Sequence, residues 1–124
     1  MELSPTADTK AHVIAIYHDK PHYACSDCSA VIALQDELIS KSFSGREGRG
    51  FLIHSAVNVK HGKKEDRTLL TGVHTVADVF CVGCNGRLGW FYVKASDSSQ
   101  KYKEGKYLLE RAKLVKDNAW KLDE

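Results

Sequence analysis

Tyr23-Ala24-Cys25-Ser26-Asp27-Cys28 and Val79-Phe80-Cys81-Val82-Gly83-Cys84 decide how this chain folds. Each holds a Cys-x-x-Cys pair, and the two pairs account for all four cysteines. Cys81 follows Cys28 by 53 positions. Four thiolates in two such pairs match a closed tetrahedral zinc site, with sulfur about 2.3 Å from the ion. Each pair fits on one tight turn, so one ion would tie the region of residue 25 to that of residue 81. Gly83 and Gly86 let the second turn close and aim its amides at sulfur.

Other uses of the cysteines fit less well. Two disulfides require an oxidising compartment. A redox Cys-x-x-Cys usually stands alone beside a βαβ pattern. A catalytic zinc keeps one position open, whereas four cysteines close the shell. A structural zinc held by Cys25, Cys28, Cys81 and Cys84 is the expectation.

Composition sets the class. The hydrophobic share of 43% and the charged share of 27% are those of a single soluble domain. No apolar run reaches the length of a membrane span, and Met1–Lys10 has no secretory pattern. An intracellular protein, of nucleus or cytoplasm, is expected. The formal charge is +2. Four thiolates and one dication bring it close to zero, so no basic surplus favours nucleic acid.

Along the chain, residues 1–19 read as a tail, with a short strand predicted over 12–17. The zinc-binding domain is predicted over 20–117, and 118–124 form a second tail. Ala30–Ile39 is open between a helical turn and a strand. Ser40–Gly50, with Gly45, Gly48 and Gly50, reads as a loop. Phe51–Val59 alternates and reads as a strand. Lys60–Asp66 reads as a polar turn around Gly62. Arg67–Thr71 and Val73–Phe80 read as strands divided by Gly72, and Leu88–Val93 is the clearest strand of all. Ala95–Gly105 is a polar connection. The spacing of Tyr107, Leu108, Arg111 and Val115 favours a helix over Lys106–Val115.

The cysteine pairs stand among further motifs. These are Gly45-Arg46-x-Gly48, Val57-Asn58-Val59-x-x-Gly62, and Arg67-x-Leu69-x-Thr71-Gly72-x-His74-x-Val76-x-Asp78-Val79-x-Cys81-x-x-Cys84. They continue with Leu88-Gly89-Trp90 and Ser99-Gln100-Lys101-Tyr102-Lys103-Glu104-Gly105-Lys106-Tyr107. With this set, over about residues 20–116, the chain resembles the Yippee-like family. Asn85 replaces a common glycine, and Gly50-Phe51-Leu52-Ile53 replaces a common Ala-Tyr-Leu-Phe. Asn tolerates the φ > 0 such a position needs. The resemblance implies a mainly β fold, the β-tent, with two antiparallel sheets pinned at the apex by one Zn(Cys)4 site. It also implies that Lys106–Val115 is strand, and that reading is adopted over the periodicity. Fold relatives of the family include the cereblon ligand-binding domain, B-type methionine sulfoxide reductases and zinc domains of innate RNA sensors. Members are linked to nucleus and centrosome and to a multi-subunit ubiquitin-ligase assembly.

Trp90 and Tyr92 lie two apart on a strand and share one face; Phe91 and Val93 take the other. They form the walls of a small-molecule pocket, with His74 as a third wall, or else Trp90 is plain core. Arg87 either offsets the charge of a Zn(Cys)4 cluster or is a solvated surface charge. The remaining histidines, His12, His18, His22, His54 and His61, read as surface residues, since no metalloprotease or deaminase spacing joins them. Lys60, Lys63, Lys64 and Arg67 crowd together, but Glu65 and Asp66 dilute their field.

Three functions compete. The favoured one is a zinc-stapled, non-enzymatic protein-interaction module or adaptor, in the manner of a ubiquitin-ligase subunit. A methionine sulfoxide reductase needs a nucleophilic thiol outside the zinc site, and no fifth cysteine exists. A nucleic-acid-binding zinc domain needs a basic face, which the charge does not promise.

Overall fold

β-Branched and aromatic runs, cut by tight turns, form nine strands in a computed structural model whose described residues are 20–117. The strand expected over 12–17 lies outside them. In chain order they are β1 (His22–Cys25), β2 (Val31–Leu34), β3 (Leu38–Gly45), β4 (Gly48–Ile53), β5 (Val59–Leu69), β6 (Gly72–Cys81), β7 (Arg87–Ala95), β8 (Tyr107–Glu110) and β9 (Leu114–Asp117). A small sheet runs β2-β1-β9 and a larger one β3-β4-β8-β7-β6-β5. Every pairing is antiparallel. This is the β-tent expected from the resemblance. Among the described residues no helix is long and apolar enough to cross a membrane.

Four local expectations are corrected, the first being the strand read over Phe51–Val59, which ends at Ile53 and gives way to irregular chain until β5 begins at Val59. Ser40–Gly50 is not a loop. Gly45 pairs with Gly48 across a two-residue turn at Arg46-Glu47, and Gly48 has φ 126°. The glycines thus frame a hairpin. Gly50 is strand because Leu108 packs over it, where a Cβ would lie 2.9 Å from Leu108 Cδ2. Lys60–Asp66 is not a turn but the middle of β5. It is an edge strand wetted on both faces, so its side chains do not alternate. The helix favoured by the spacing of Lys106–Val115 is absent. Instead β8 and β9 flank a 3-10 turn at Arg111–Lys113 and belong to different sheets. The helical spacing arose because β8 is buried on both faces. Leu109 joins the core between the sheets, and Leu108 joins the core on the other side. Ala30–Ile39 resolves into β2, a 3-10 turn at Gln35–Glu37 and the start of β3.

Two cores result. Tyr23, Ile32, Phe51, Ile53, Leu88 and Leu109 gather around Cys25 and Cys81. Leu52, Val76, Trp90, Tyr92 and Leu108 form the second, with Phe43 and Leu69 packed against it. Strand alternation sends Trp90 and Tyr92 to this second core, while Phe91 stacks on His61 and tilts against Tyr107 on the opposite face.

The Leu-Gly-Trp motif has a packing reason. β7 crosses so close to β8 that a Cβ on Gly89 would strike the Leu108 carbonyl oxygen. Gly89→Ala must push two central strands apart and is expected to cost about 3 kcal/mol of stability, read by denaturant unfolding. Wild-type stability would show that the strands do not approach so closely.

Candidate metal centre and aromatic cavity

The metal centre starts from two matching turns. Cys25 ends β1, and Cys81 ends β6. In the first turn the Ser29 N–H donates to the Cys25 carbonyl, and the Cys25 N–H to the Ala30 carbonyl, both at 2.8 Å. In the second the Asn85 N–H donates to Cys81 at 2.7 Å, and the Cys81 N–H to Gly86 at 2.8 Å. The fourth residue after each leading cysteine has a left-handed backbone: Ser29 with φ 67° and Asn85 with φ 65°. Asn85 thus meets the requirement that its replacement of glycine raised.

The turns bring all four sulfurs within 4.8 Å of one another. Cys25 and Cys84 stand 3.6 Å apart, and Cys28 and Cys81 3.5 Å. Neither fits a disulfide, which needs about 2.05 Å. Both fit a tetrahedron of sulfurs around one ion, whose edges are about 3.8 Å for a metal–sulfur bond of about 2.3 Å. The surroundings favour sulfur as anion. The Gly83 N–H donates to Cys81 Sγ at 3.3 Å. A Cβ on Gly83 would sit 2.9 Å from Cys28 Sγ, so the backbone cradles the cluster closely.

The thiols interact strongly. Burial pushes Cys81 up, but amides of Cys84 and Gly83 and the Cys28 and Cys25 thiols hold it below the ordinary value. At Cys28 the Ala30 N–H pulls downward, yet the Cys81, Cys84 and Cys25 thiols prevail and push it up to about 12. Thiols this close cannot all ionise together without a cation. A soft dication removes that conflict, because thiolates that repel one another all bind it.

Asn58 supplies a second tie at this end. Its side-chain amide donates to the Val31 carbonyl in β2 at 2.7 Å, and its carbonyl accepts from Val82 in the second turn at 2.9 Å. The Val57-Asn58-Val59 motif thus links the small sheet to the second cysteine turn.

Arg87 meets neither expectation held for it. Its Nε donates to Asp78 at 3.0 Å and its Nη1 to Glu110 at 3.1 Å, with the guanidinium 5.8 Å from the Trp90 ring centroid. Asp78 also accepts from Arg67 at 3.0 Å. Buried Glu110 accepts the N–H groups of Arg46 and Glu47 at 2.9 and 3.0 Å. The Gly45-Arg46-x-Gly48 motif is therefore a hairpin tip folded over a carboxylate. A Cβ on Gly45 would collide with that carboxylate. No sequence signal marked Glu110, which follows two leucines and precedes a turn.

The aromatic face borders a cavity of about 600 Å³. Trp90, Tyr92, Phe43 and Tyr102 line it, with Lys103, Arg46 and Arg67 as its cations. Trp90 is only 5% exposed, so its ring closes the floor of the cavity rather than standing in its mouth. His74 packs behind Tyr92, ring centroids 5.5 Å apart, and does not line the space. His74 is buried and bonds the Gly72 carbonyl through Nδ1 at 2.8 Å. Burial pushes the Tyr92 hydroxyl up to about 12. His22, expected at the surface, is buried, and exposed His61 bonds the Tyr107 hydroxyl at 3.0 Å. His12 and His18 lie outside the described residues.

The profile of the Yippee-Mis18 family, described as "Yippee zinc-binding/DNA-binding /Mis18, centromere assembly", matches residues 22–124. Protein yippee-like 3 of Oryzias latipes is 51% identical over 114 residues, covering 90% of this chain and 96% of that protein. Protein yippee-like 4 of Rattus norvegicus is 56% identical over 98 residues, covering 79% and 77%. The crystal structure of the Mis18 "Yippee-like" domain superposes with a TM-score of 0.63 at 18% identity, over 79% of this chain and 95% of that one. This chain belongs to the Yippee-Mis18 family, and the Mis18 domain shares its fold.

Asp78 carries a pH signature. Burial pushes its carboxyl up, but hydrogen bonds and charge from Arg67 and Arg87 outweigh that and hold it below the ordinary range. A depressed carboxylate stabilises the fold above its unfolded pKa of about 3.9 and loses that contribution as pH falls through the folded value. Asp78→Asn leaves two guanidinium groups facing each other, at a cost of about 2–3 kcal/mol near pH 7. Unfolding followed from pH 7 to 2 should show the gap between wild type and variant narrowing only below about pH 4. A gap constant with pH would refute the ion pairing.

Proposed function

We propose that this domain is a zinc-stapled, non-enzymatic interaction module, in which Cys25, Cys28, Cys81 and Cys84 hold one structural zinc. The observation that carries this reading is the use of all four cysteines of the chain in one sulfur cluster. A closed shell has no open position for substrate. It also leaves no thiol as nucleophile, which argues against methionine sulfoxide chemistry despite the shared fold. The cavity walled by Trp90 and Tyr92, with His74 behind Tyr92, supports recognition of a partner or small molecule at that face, since concave aromatic sites suit such ligands. Service as a subunit of a ubiquitin-ligase assembly, in nucleus or cytoplasm, belongs to the same reading through the resemblance to the Yippee-like proteins. A nucleic-acid role finds less support: exposed β5 carries Lys60, Lys63 and Lys64, but Glu65 and Asp66 follow them directly, and its one ring, His61, is already stacked on Phe91.

A structural zinc contributes on the order of 10 kcal/mol, as much as the whole stability of a domain. Freshly purified protein should contain one zinc per chain. Cys81→Ser, or removal of zinc by a strong chelator, should unfold it by circular dichroism. A folded Cys81→Ser variant with unchanged melting temperature would contradict the structural role. Capture from native extract should recover the same partners with wild type and lose some with Trp90→Ala; identical capture would contradict the assignment of the interaction to the aromatic face.

A further inference from the structure

The cavity is unbalanced in charge. Three cations line it, Arg46, Arg67 and Lys103, and no carboxylate does. Arg67 is already committed to Asp78 and Glu65. Lys103 is not. It is 3% exposed, yet its ammonium has one polar partner among the described residues, the Thr71 hydroxyl at 2.8 Å. Its other neighbours are rings: Phe43 at 5.2 Å and Tyr92 at 5.5 Å from Nζ to centroid. An ammonium has three protons to donate, and ring faces offset only part of its lost hydration. The Trp90 indole N–H is a second donor short of partners. It is buried without a hydrogen-bond partner among the described residues. It faces the Tyr92 hydroxyl, whose pKa burial raises and this N–H lowers, so a ligand acid would take it over from that weak contact.

Two donors short of partners, one of them a buried cation with a single hydrogen bond, beside aromatic walls define a complement. We propose that the cavity takes a carboxylate carrying an apolar or aromatic group, the acid accepting from Lys103 Nζ and Trp90 Nε1 and the apolar part lying against Phe43 and Tyr92. The inference rests on the cavity being the recognition site argued above, and it adds the sign of the ligand. Burial holds the Lys103 ammonium pKa below its ordinary value. Arg46 at the hairpin tip, with no ion pair among the described residues, extends the positive field towards the opening.

The test uses zinc-loaded full chain and follows the Trp90 indole N–H by NMR, assigned with Trp90→Phe. Probes are 3-phenylpropionate and its neutral amide. The acid should shift the Trp90 signal and bind at least about tenfold more tightly than the amide, the loss expected for one charge-assisted hydrogen bond. Lys103→Met should abolish that preference yet melt at or above the wild-type temperature, because it removes a poorly compensated buried charge. A phenylalanine-ended tripeptide, compared with its C-terminal amide, separates the two sources of the acid. A preference for the free end marks a peptide terminus, and its absence with the small acid still bound marks a free carboxylic acid. Equal binding of acid and amide would overturn the anion inference while leaving the pocket intact. No shift of Trp90 by any probe would overturn the pocket itself. A destabilised Lys103→Met with the acid preference kept would make Lys103 structural and overturn the assignment.

Discussion

Four sulfurs, two from the end of β1 and its turn and two from the end of β6 and its turn, must occupy one small volume. Thiolates at 3.5 and 3.6 Å repel one another, and thiols there forgo their affinity for a metal. A dication converts that repulsion into a crosslink between residues far apart in sequence. The small sheet shows why the crosslink matters. Its strands β1, β2 and β9 have four residues each, too few to persist alone. The core around Tyr23, Ile32 and Leu109 and the Asn58 clamp hold it against the larger sheet, and the cluster fixes where the two meet.

The larger sheet is organised on a different principle. β8 is its middle, buried on both sides, so one strand must serve two cores. Gly89 and Gly50 let neighbours approach it from either flank. Glu110, at its end, gathers the β3–β4 hairpin tip and Arg87, and Arg87 and Arg67 converge on Asp78. That chain of charges runs beside Trp90, and its Arg67 also lines the cavity. It consumes the acids of this region, and the cavity in front of Trp90 is left with cations alone. Stability and recognition thus share one set of residues, with carboxylates on the structural side and the lightly partnered Lys103 on the open side.

The cysteine spacing made the metal centre legible, because a four-sulfur site needs only two short turns and a fold that brings them together. The alternation of Trp90 and Tyr92 was legible for the same local reason. Errors arose where tertiary context overrides local pattern. Gly45 and Gly48 looked like loop because glycine at a hairpin tip and glycine in a loop read alike. β5 lacked alternation because an edge strand wet on both faces has none to show. β8 looked helical because burial on both faces puts Leu108 and Leu109 side by side. Lys103 and Glu110 were illegible for a stronger reason. Each is a charged residue in a polar or mixed stretch, and only packing removes it from water. The resemblance to a known family corrected β8 and β9, but it carried no role for either charge.

Sulfur ligation of one zinc would crosslink the two sheets and close the site. X-ray absorption at the zinc edge of the purified, metal-loaded protein measures that ligation directly. It should give four sulfur neighbours at about 2.3 Å and no nitrogen or oxygen in the inner sphere. A fit requiring histidine or water as ligand, or fewer than four sulfurs, would contradict the closed shell and with it the non-catalytic character inferred for the domain.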